Sequence, residues 1–357
     1  MNVTRIVLKD FRSYESLEIE FGDKTNLILG PNAAGKSNLA EAIYYLSAAR
    51  SWRSSDDDSL IAEGKESAYI EARIHEGSLR RTVSIEIGKD QKRVRINGKP
   101  VARLSELTEL VNVLVFSPSD VSLFRDSPSE RRAFLDASLS KQDARYLKSL
   151  SKAHSLLRER NLLLKRENPN RDLLWAYARQ LAEVSEIIVR QREAYCEAIN
   201  SVLPMVLEKI TGEPSDCRIT YKPFLKPGPK FVERAESLYR DKLEDDLFKK
   251  STGIGIHRED FSLRYKGKDV AQYGSQGENR ICALALKLAP YYLVKDEARK
   301  PICVLDDVAS ELDAARVANL MKIVQEDLGQ TFVTATELRL EGASIIDVAN
   351  HNATRRN

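Results

Sequence analysis

Two periods of apolar spacing divide the chain. Between residues 3 and 29 the pattern is that of strands: Leu17, Ile19 and Phe21 alternate with Ser16, Glu18 and Glu20, as in a half-buried strand. Asn26 leads into Leu27-Ile28-Leu29, which reads as a short buried strand. From Ser37 to Arg50 the period becomes helical, with Leu39, Ile43 and Leu46 on one face. Ala68 to Ile74, Thr82 to Ile87 and Lys92 to Ile96 again read as strands, and Asn97-Gly98 closes the last with a hairpin-turn signal.

A long helical region opens at Pro128. Within it Leu147, Leu150, His154, Leu157, Asn161 and Leu164 recur three and four apart. After a break at Glu167-Asn168-Pro169-Asn170, so do Leu174, Tyr177, Leu181, Val184 and Ile188. Two such stripes around a proline turn predict an antiparallel helical hairpin, with arms of roughly 25 residues, about 40 Å. Residues 212–230 are rich in Gly and Pro and read as loop, and residues 231–250 as charged helix. An α/β pattern then returns. Phe261 to Tyr265 is a strand candidate, with a turn at Gly267. A helix carries Ile281, Leu284 and Leu288 and is expected to bend or end at Pro290. Ile302 to Leu305 is a buried strand, Ala314 to Leu328 a helix and Thr331 to Ala335 a strand, and the polar tail Asn350 to Asn357 is expected to fray. The pattern predicts an α/β fold with an inserted, mostly helical second lobe: residues 1–115 and 251–357 form the first lobe and residues 116–250 the insertion.

Chemistry enters at the junction of the buried strand and the first helix. Gly30-Pro31-Asn32-Ala33-Ala34-Gly35-Lys36-Ser37 fits G-x-x-x-x-G-K-[ST], the phosphate loop, in its strand–loop–helix context. Backbone amides and the helix N-terminus attract phosphate oxygens, Lys36 adds a full charge, and Ser37 can ligate Mg²⁺. The loop, extended to Asn38, is the predicted ATP site. The apolar strand ending in Asp306-Asp307 supplies the carboxylates that such a loop needs. Asp306 is assigned to the metal and Asp307 to the attacking water. Ser275-Gln276-Gly277 lies at another helix start. With Glu278 three residues on it forms a capping box, and from the residues alone an N-cap is the favoured reading over an anion site.

Composition narrows the partners only slightly. Lys+Arg 56 against Asp+Glu 53 gives +3 over 357 residues, too little to argue nucleic acid. Local clusters are more informative. Arg80, Arg81, Lys89, Lys92, Arg93, Arg95 and Lys99 fall among the strands, where a solvated sheet face is the favoured reading. Lys141, Arg145, Lys148 and Lys152 fall on one helical face, a solvated face or a DNA contact. The four cysteines are scattered without a C-x-x-C pair, which argues against a zinc site or a disulfide framework. With no apolar run long enough to span a bilayer, a soluble cytoplasmic protein is expected.

The order Gly30–Ser37, then Tyr273-Gly274-Ser275-Gln276-Gly277-Glu278-Asn279-Arg280, then Val304 to Asp313, resembles the ATP-binding-cassette head of SMC-like ATPases, and more narrowly the RecF family. Phe11-Arg12-Ser13-Tyr14, Phe116 to Asp120, Ser127 to Asp136 and Gly255 to Asp260 point the same way, so the likeness covers nearly the whole chain. The resemblance implies an ATP-dependent homodimer that binds duplex or single-strand-gap DNA and helps RecO and RecR load RecA. In such a dimer Ser275, Gln276 and Gly277 of one protomer would face the ATP and Mg²⁺ of the other, and Ser310, Glu311, Leu312 and Asp313 would line the interface. It implies a slow ATPase acting as a timer. The switch histidine of transporter heads has no counterpart here; Thr334 or Thr336 stands in its place. A transporter ATPase subunit and a structural SMC-like ATPase are the alternatives. The hairpin offers no surface that suggests coupling to membrane helices, and it is short for a structural coiled coil.

Overall fold

The computed structural model describes every residue except Ser78, Asp90, Asp126 and Asn357, and the backbone alone at Ser105, Glu109, Val121 and Glu311. In chain order its elements begin with β1 (Asn2–Phe11), β2 (Tyr14–Glu20), β3 (Thr25–Leu29) and α1 (Lys36–Ala48). They continue with β4 (Ser67–Glu76), β5 (Leu79–Gly88), β6 (Gln91–Ile96), β7 (Lys99–Pro100), α2 (Ser105–Leu110) and β8 (Val113–Phe116). The helical region holds α3 (Pro128–Gln142), α4 (Ala144–Leu164) and α5 (Arg171–Thr211), then β9 (Arg218–Lys222), α6 (Phe231–Asp241) and α7 (Leu243–Lys249). The last part holds β10 (Asp260–Tyr265), β11 (Lys268–Asp269), α8 (Val270–Tyr273), α9 (Gln276–Leu293), β12 (Ile302–Leu305), α10 (Ala314–Glu326), β13 (Thr331–Ala335), β14 (Ser344–Ala349) and β15 (Asn352–Arg355). The chain divides into two compact units. The first is Met1–Val121, Met205–Pro214 and Arg280–Asn357; the second is Ser122–Pro204 and Ser215–Asn279.

The first unit is built on two sheets. One is antiparallel, in the order β2-β1-β4-β5-β6-β7. The other has the order β15-β14-β3-β13-β12-β8, parallel throughout except for β15. β12 is buried at all four positions, the pattern of a central parallel strand. β2 alternates, because one face of its sheet meets solvent. Residues of both sheets and of α1 share one apolar core, including Ile6, Leu39, Ile43, Ile70, Ile85, Val304 and Phe332. Gln330 stitches the sheets at the start of β13: it accepts from the Val3 amide at 2.7 Å and donates to Val3 O at 2.8 Å and Gly22 O at 2.9 Å. Asn97 and Gly98 close the β6–β7 hairpin with φ of 50° and 76°, the left-handed pair that this turn requires.

The second unit contains the helical hairpin. Leu163 and Leu164 cluster with Leu174 at one end, and Gln191 Nε2 donates to Asp143 Oδ2 at 2.7 Å at the other, so α4 and the first half of α5 run antiparallel. The buried stripe of α4 differs from the expected one. Tyr146, Ala153 and Arg160 are buried, whereas Leu147 and His154 are exposed. Arg160, 1% exposed, causes the shift. Its Nη1 donates to Asp246 Oδ2 at 2.8 Å and Thr252 Oγ1 at 2.6 Å, and its guanidinium lies over the Tyr239 ring. Apolar spacing cannot register a buried charge whose ion-pair partner lies far along the chain. Arg192 plays a like part, donating to Asp136, Ile256 O and Glu259 from a side chain 2% exposed.

Four further expectations are corrected. α5 is 41 residues long, so the second arm exceeds the roughly 25 predicted. Within residues 212–230, Arg218 to Lys222 form β9, paired with β10. α9 does not end at Pro290 but runs on to Leu293, where Tyr291 is buried and its hydroxyl accepts from the Gly329 amide at 2.7 Å. The tail does not fray as a whole: Asn352 to Arg355 pair with β14, and Arg356 forms a two-pronged ion pair with Asp347 at 2.9 and 2.6 Å.

Candidate nucleotide site

The parallel sheet places the loop and the carboxylates together. β13 lies between β3 and β12, and Gly30 and Asp306 follow the ends of the two outer strands of this trio. Gly30 has φ of 154°, and a Cβ there would stand 2.1 Å from Val348 O, so no side chain fits. Gly35 (φ 111°) caps α1 with its hydrogen face against Ser13 and Tyr14. The amides of Gly35, Lys36 and Ser37 have no acceptor among the described residues, as the first turn of a helix requires. Lys36 Nζ donates to Gly30 O and Pro31 O, each at 2.8 Å, and so lies across the loop. Burial pushes its pKa down, and the charges of Asp307 and Asp306 oppose that shift. Pro31, Asn32 and Ala33 are exposed, Ala34 is buried, and Asn38 begins a bonded chain described below.

Asp306 is 5% exposed. Its Oδ1 accepts from Ser37 Oγ at 2.8 Å and from Thr334 Oγ1 at 2.7 Å. Its pKa is raised, by burial first and by the charge of Asp307 as well, and these two hydroxyls and the charge of Arg53 offset only part of the rise. Asp307 is left-handed (φ 50°), and its amide donates to Thr334 Oγ1 at 2.9 Å. Thr334, on the middle strand, is therefore committed to the Asp306 carboxylate and the Asp307 backbone amide. Thr336, just beyond β13, is exposed. Periodicity could not have separated the two threonines; the strand order does. One hydroxyl and one carboxylate in contact fit the protein's share of a Mg²⁺ shell whose other ligands are phosphate and water oxygens. The uncovered amides and the cradle without side chains fit a polyphosphate.

The remaining predicted residues fall elsewhere. Ser310 Oγ donates to Asp307 O at 2.8 Å. Leu312 is half-buried, and Asp313 is exposed and caps α10 through the Arg316 amide at 3.0 Å. The side chain of Glu311 lies outside the described residues. Ser275, Gln276 and Gly277 belong to the second unit, at the start of α9. The capping box is formed in both directions: the Ser275 amide donates to Glu278 Oε2 at 2.8 Å, and the Glu278 amide to Ser275 Oγ at 3.2 Å. Ser275 and Gln276 are nevertheless exposed, as is Tyr273 beside them at 69%.

The basic clusters separate. Lys141 lies on α3, not on the helix of the other three, because Asp143 ends α3 and caps α4. Arg145, Lys148 and Lys152 share the exposed face of α4. On the sheet, Lys92 donates to Ala49 O, pairs with Asp57 at 2.6 Å and lies over the Tyr45 ring, so it is a structural residue. Arg93 and Arg81 stand 3.6 and 3.9 Å from Glu86 and Glu76, as on a solvated face.

Sequence reading missed the surroundings of α1. Arg12 and the Ser51–Arg53 segment stand out in the sequence only as candidates for contacting an adenine ring, and Glu41, which joins them, leaves no signal, since a lone carboxylate in an amphipathic helix reads as surface.

Comparison with known proteins places this geometry. The family described as "RecF/RecN/SMC N terminal domain" matches residues 2–352. The chain is 36% identical over 348 residues to the "DNA replication and repair protein RecF" of Lachnoclostridium phytofermentans, covering 95% of this chain and 93% of the relative. A solved structure of the recombination mediator protein RecF-ATP in the RecFOR pathway is similar with a TM-score of 0.91 at 30% identity, over 99% of this chain and 97% of that one. An Smc head bound to the C-winged helix domain of ScpA shares the fold alone, with a TM-score of 0.59 at 18% identity over 100% and 97% of the two chains. This chain belongs to the RecF/RecN/SMC family, and within it to the RecF proteins of DNA replication and repair.

Proposed function

We propose that this protein is an ATP-gated DNA-binding protein of recombinational repair and replication restart, whose ATP-bound homodimer holds duplex or single-strand-gap DNA and serves RecO and RecR in loading RecA. One observation carries the reading. A single chain presents two phosphate-seeking elements, the Gly30–Ser37 loop with Asp306 and the Ser275–Gly277 helix start, exposed at Ser275 and Gln276. A second copy gives both a use: Ser275, Gln276 and Gly277 of one protomer close on the nucleotide held by the other. Ser310 to Asp313, which begin three residues after Asp307, line the junction.

In this reading the amides of Gly35 to Ser37 and the Lys36 ammonium hold the β- and γ-phosphates, Lys36 exchanging its loop carbonyls for phosphate oxygens. Ser37 and Asp306 hold Mg²⁺, which neutralises phosphate charge when bound. Asp307 orients the attacking water, and Thr336 rather than Thr334 is taken to bond the γ-phosphate, since Thr334 is engaged by Asp306 and Asp307. Hydrolysis is slow and times the release of DNA. Among the described residues no helix is long and apolar enough to cross a membrane.

DNA binding that is salt-dependent and appears only with ATP tests the proposal. The exposed face of α4 supplies part of the DNA surface. Reversing Lys141, Arg145, Lys148 and Lys152 to Glu should weaken binding to a gapped duplex and flatten the dependence of log K on log salt, by about one unit for each phosphate no longer neutralised. A titration series between low and moderate salt reads this. An unchanged slope would return the helix to a solvated face.

A further inference from the structure

Glu41 takes no part in the function proposed above, yet few carboxylates in the molecule are more enclosed. It lies one turn beyond Ser37 on α1, and its side chain is 0% exposed. Arg12 donates to it twice, from Nε at 2.9 Å and Nη2 at 2.8 Å. Ser51 Oγ donates to it as well, and Arg53 Nη1 stands 3.5 Å away. A carboxylate withdrawn from water is tolerable only with partners of this kind.

The donors come from two separate segments. Arg12 lies in the turn between β1 and β2, itself left-handed (φ 53°), and its Nη1 also donates to Ser59 O at 2.8 Å. Ser51 and Arg53 lie in the loop after α1. Other atoms of the same segments reach the phosphate loop. Tyr14 OH donates to Gly35 O at 3.1 Å, Asn38 Nδ2 donates to Ser13 Oγ at 2.9 Å, and Arg53 Nη1 donates to Asn38 Oδ1 at 2.8 Å. Arg53 thus spans Glu41 and the residue that follows Ser37. Its charge is felt at Asp306. Its side chain is 42% exposed and that of Arg12 19%, so both are within reach of a ligand while anchored from behind.

We propose that Glu41 is a positioning residue of the nucleotide site, its buried carboxylate fixing Arg12 and Arg53 against the first turn of α1 so that their charge bears on the phosphates held there. The proposal rests on the ATP-binding reading of the loop. A guanidinium on a flexible stem loses rotamer freedom when it meets an anion; one anchored beforehand has already lost it. A bare structural brace would stabilise the fold and leave the chemistry alone.

The test compares wild type, Glu41→Gln, the Arg12→Ala/Arg53→Ala double variant and the triple variant. ATP affinity by calorimetry, ATP turnover per folded protein in the presence of duplex DNA, and Tm are measured for each. Glutamine keeps the shape but cannot accept the two-pronged guanidinium contact. Turnover should fall about tenfold or more in Glu41→Gln, and the same substitution should cost nothing further where both arginines are absent. A lower Tm with wild-type affinity and turnover, or penalties that multiply in the triple variant, would overturn the proposal. Should Glu41→Gln not fold, Glu41→Asp draws the charge back by one methylene; reduced turnover supports the proposal and wild-type turnover refutes it. A wild-type protein that neither binds nor turns over ATP would sink the reading of the loop itself, and this proposal with it.

Discussion

Lys36→Met should abolish ATP binding while leaving a folded protein. The Lys36 stem is buried against the loop, 8% of the residue remains exposed, and methionine preserves most of that packing. What disappears is the ammonium. It sits with Gly30 O and Pro31 O at 2.8 Å and with the charges of Asp306 and Asp307 nearby. Two carbonyls deprived of a donor at a partly open site cost about 1–2 kcal/mol of stability, a small part of the total. In ATP binding the same charge meets phosphates in a partly desolvated cradle, where charge-assisted hydrogen bonds are strongest. Affinity should fall by about a hundredfold or more, read by calorimetric titration with ATP and Mg²⁺. Normal affinity would refute the assignment of the loop.

Ser275→Arg should separate ATP binding from association. Ser275 is exposed, and the hydrogen bond of its side chain stays within its own capping box. Removing the cap costs about 1 kcal/mol, and the first helical turn keeps its other bonds. The nucleotide loop belongs to the other compact unit, so ATP affinity of the single chain should stay at the wild-type value. A bulky cation where a partner's nucleotide must seat should block the ATP dimer. Sedimentation with ATP and Mg²⁺ reads this, and an ATP dimer that persists would remove the role of Ser275 across the interface.

Several parts of this molecule were open to sequence reading because single segments determine them. The alternation in β2, the Asn97-Gly98 turn and the Gly30–Ser37 loop depend on local spacing and on glycine conformations. The parts that were not legible depend on pairing at a distance. β9 and β15 are short strands with one deeply buried residue each, made regular by their neighbours. The stripe of α4 turned toward Arg160 because Asp246 and Thr252, about 90 residues on, neutralise and bond it. The Asp306–Asp307 pair was visible as a strand end, but the bonds that aim it come from Thr334 on the strand between. The division of the basic stripe between α3 and α4 turned on Asp143, which reads in sequence as one more charge.

Sedimentation of the Asp307→Asn protein with ATP and Mg²⁺, with and without a gapped duplex, decides whether ATP closes two copies of this chain on DNA. Asparagine tolerates the left-handed backbone at this position and keeps the amide that donates to Thr334, so only the carboxylate charge is removed. A dimer that forms only with ATP, persists and carries DNA is the expected result. A monomer under every condition would contradict the ATP-gated reading and leave a phosphate-loop enzyme with a different substrate.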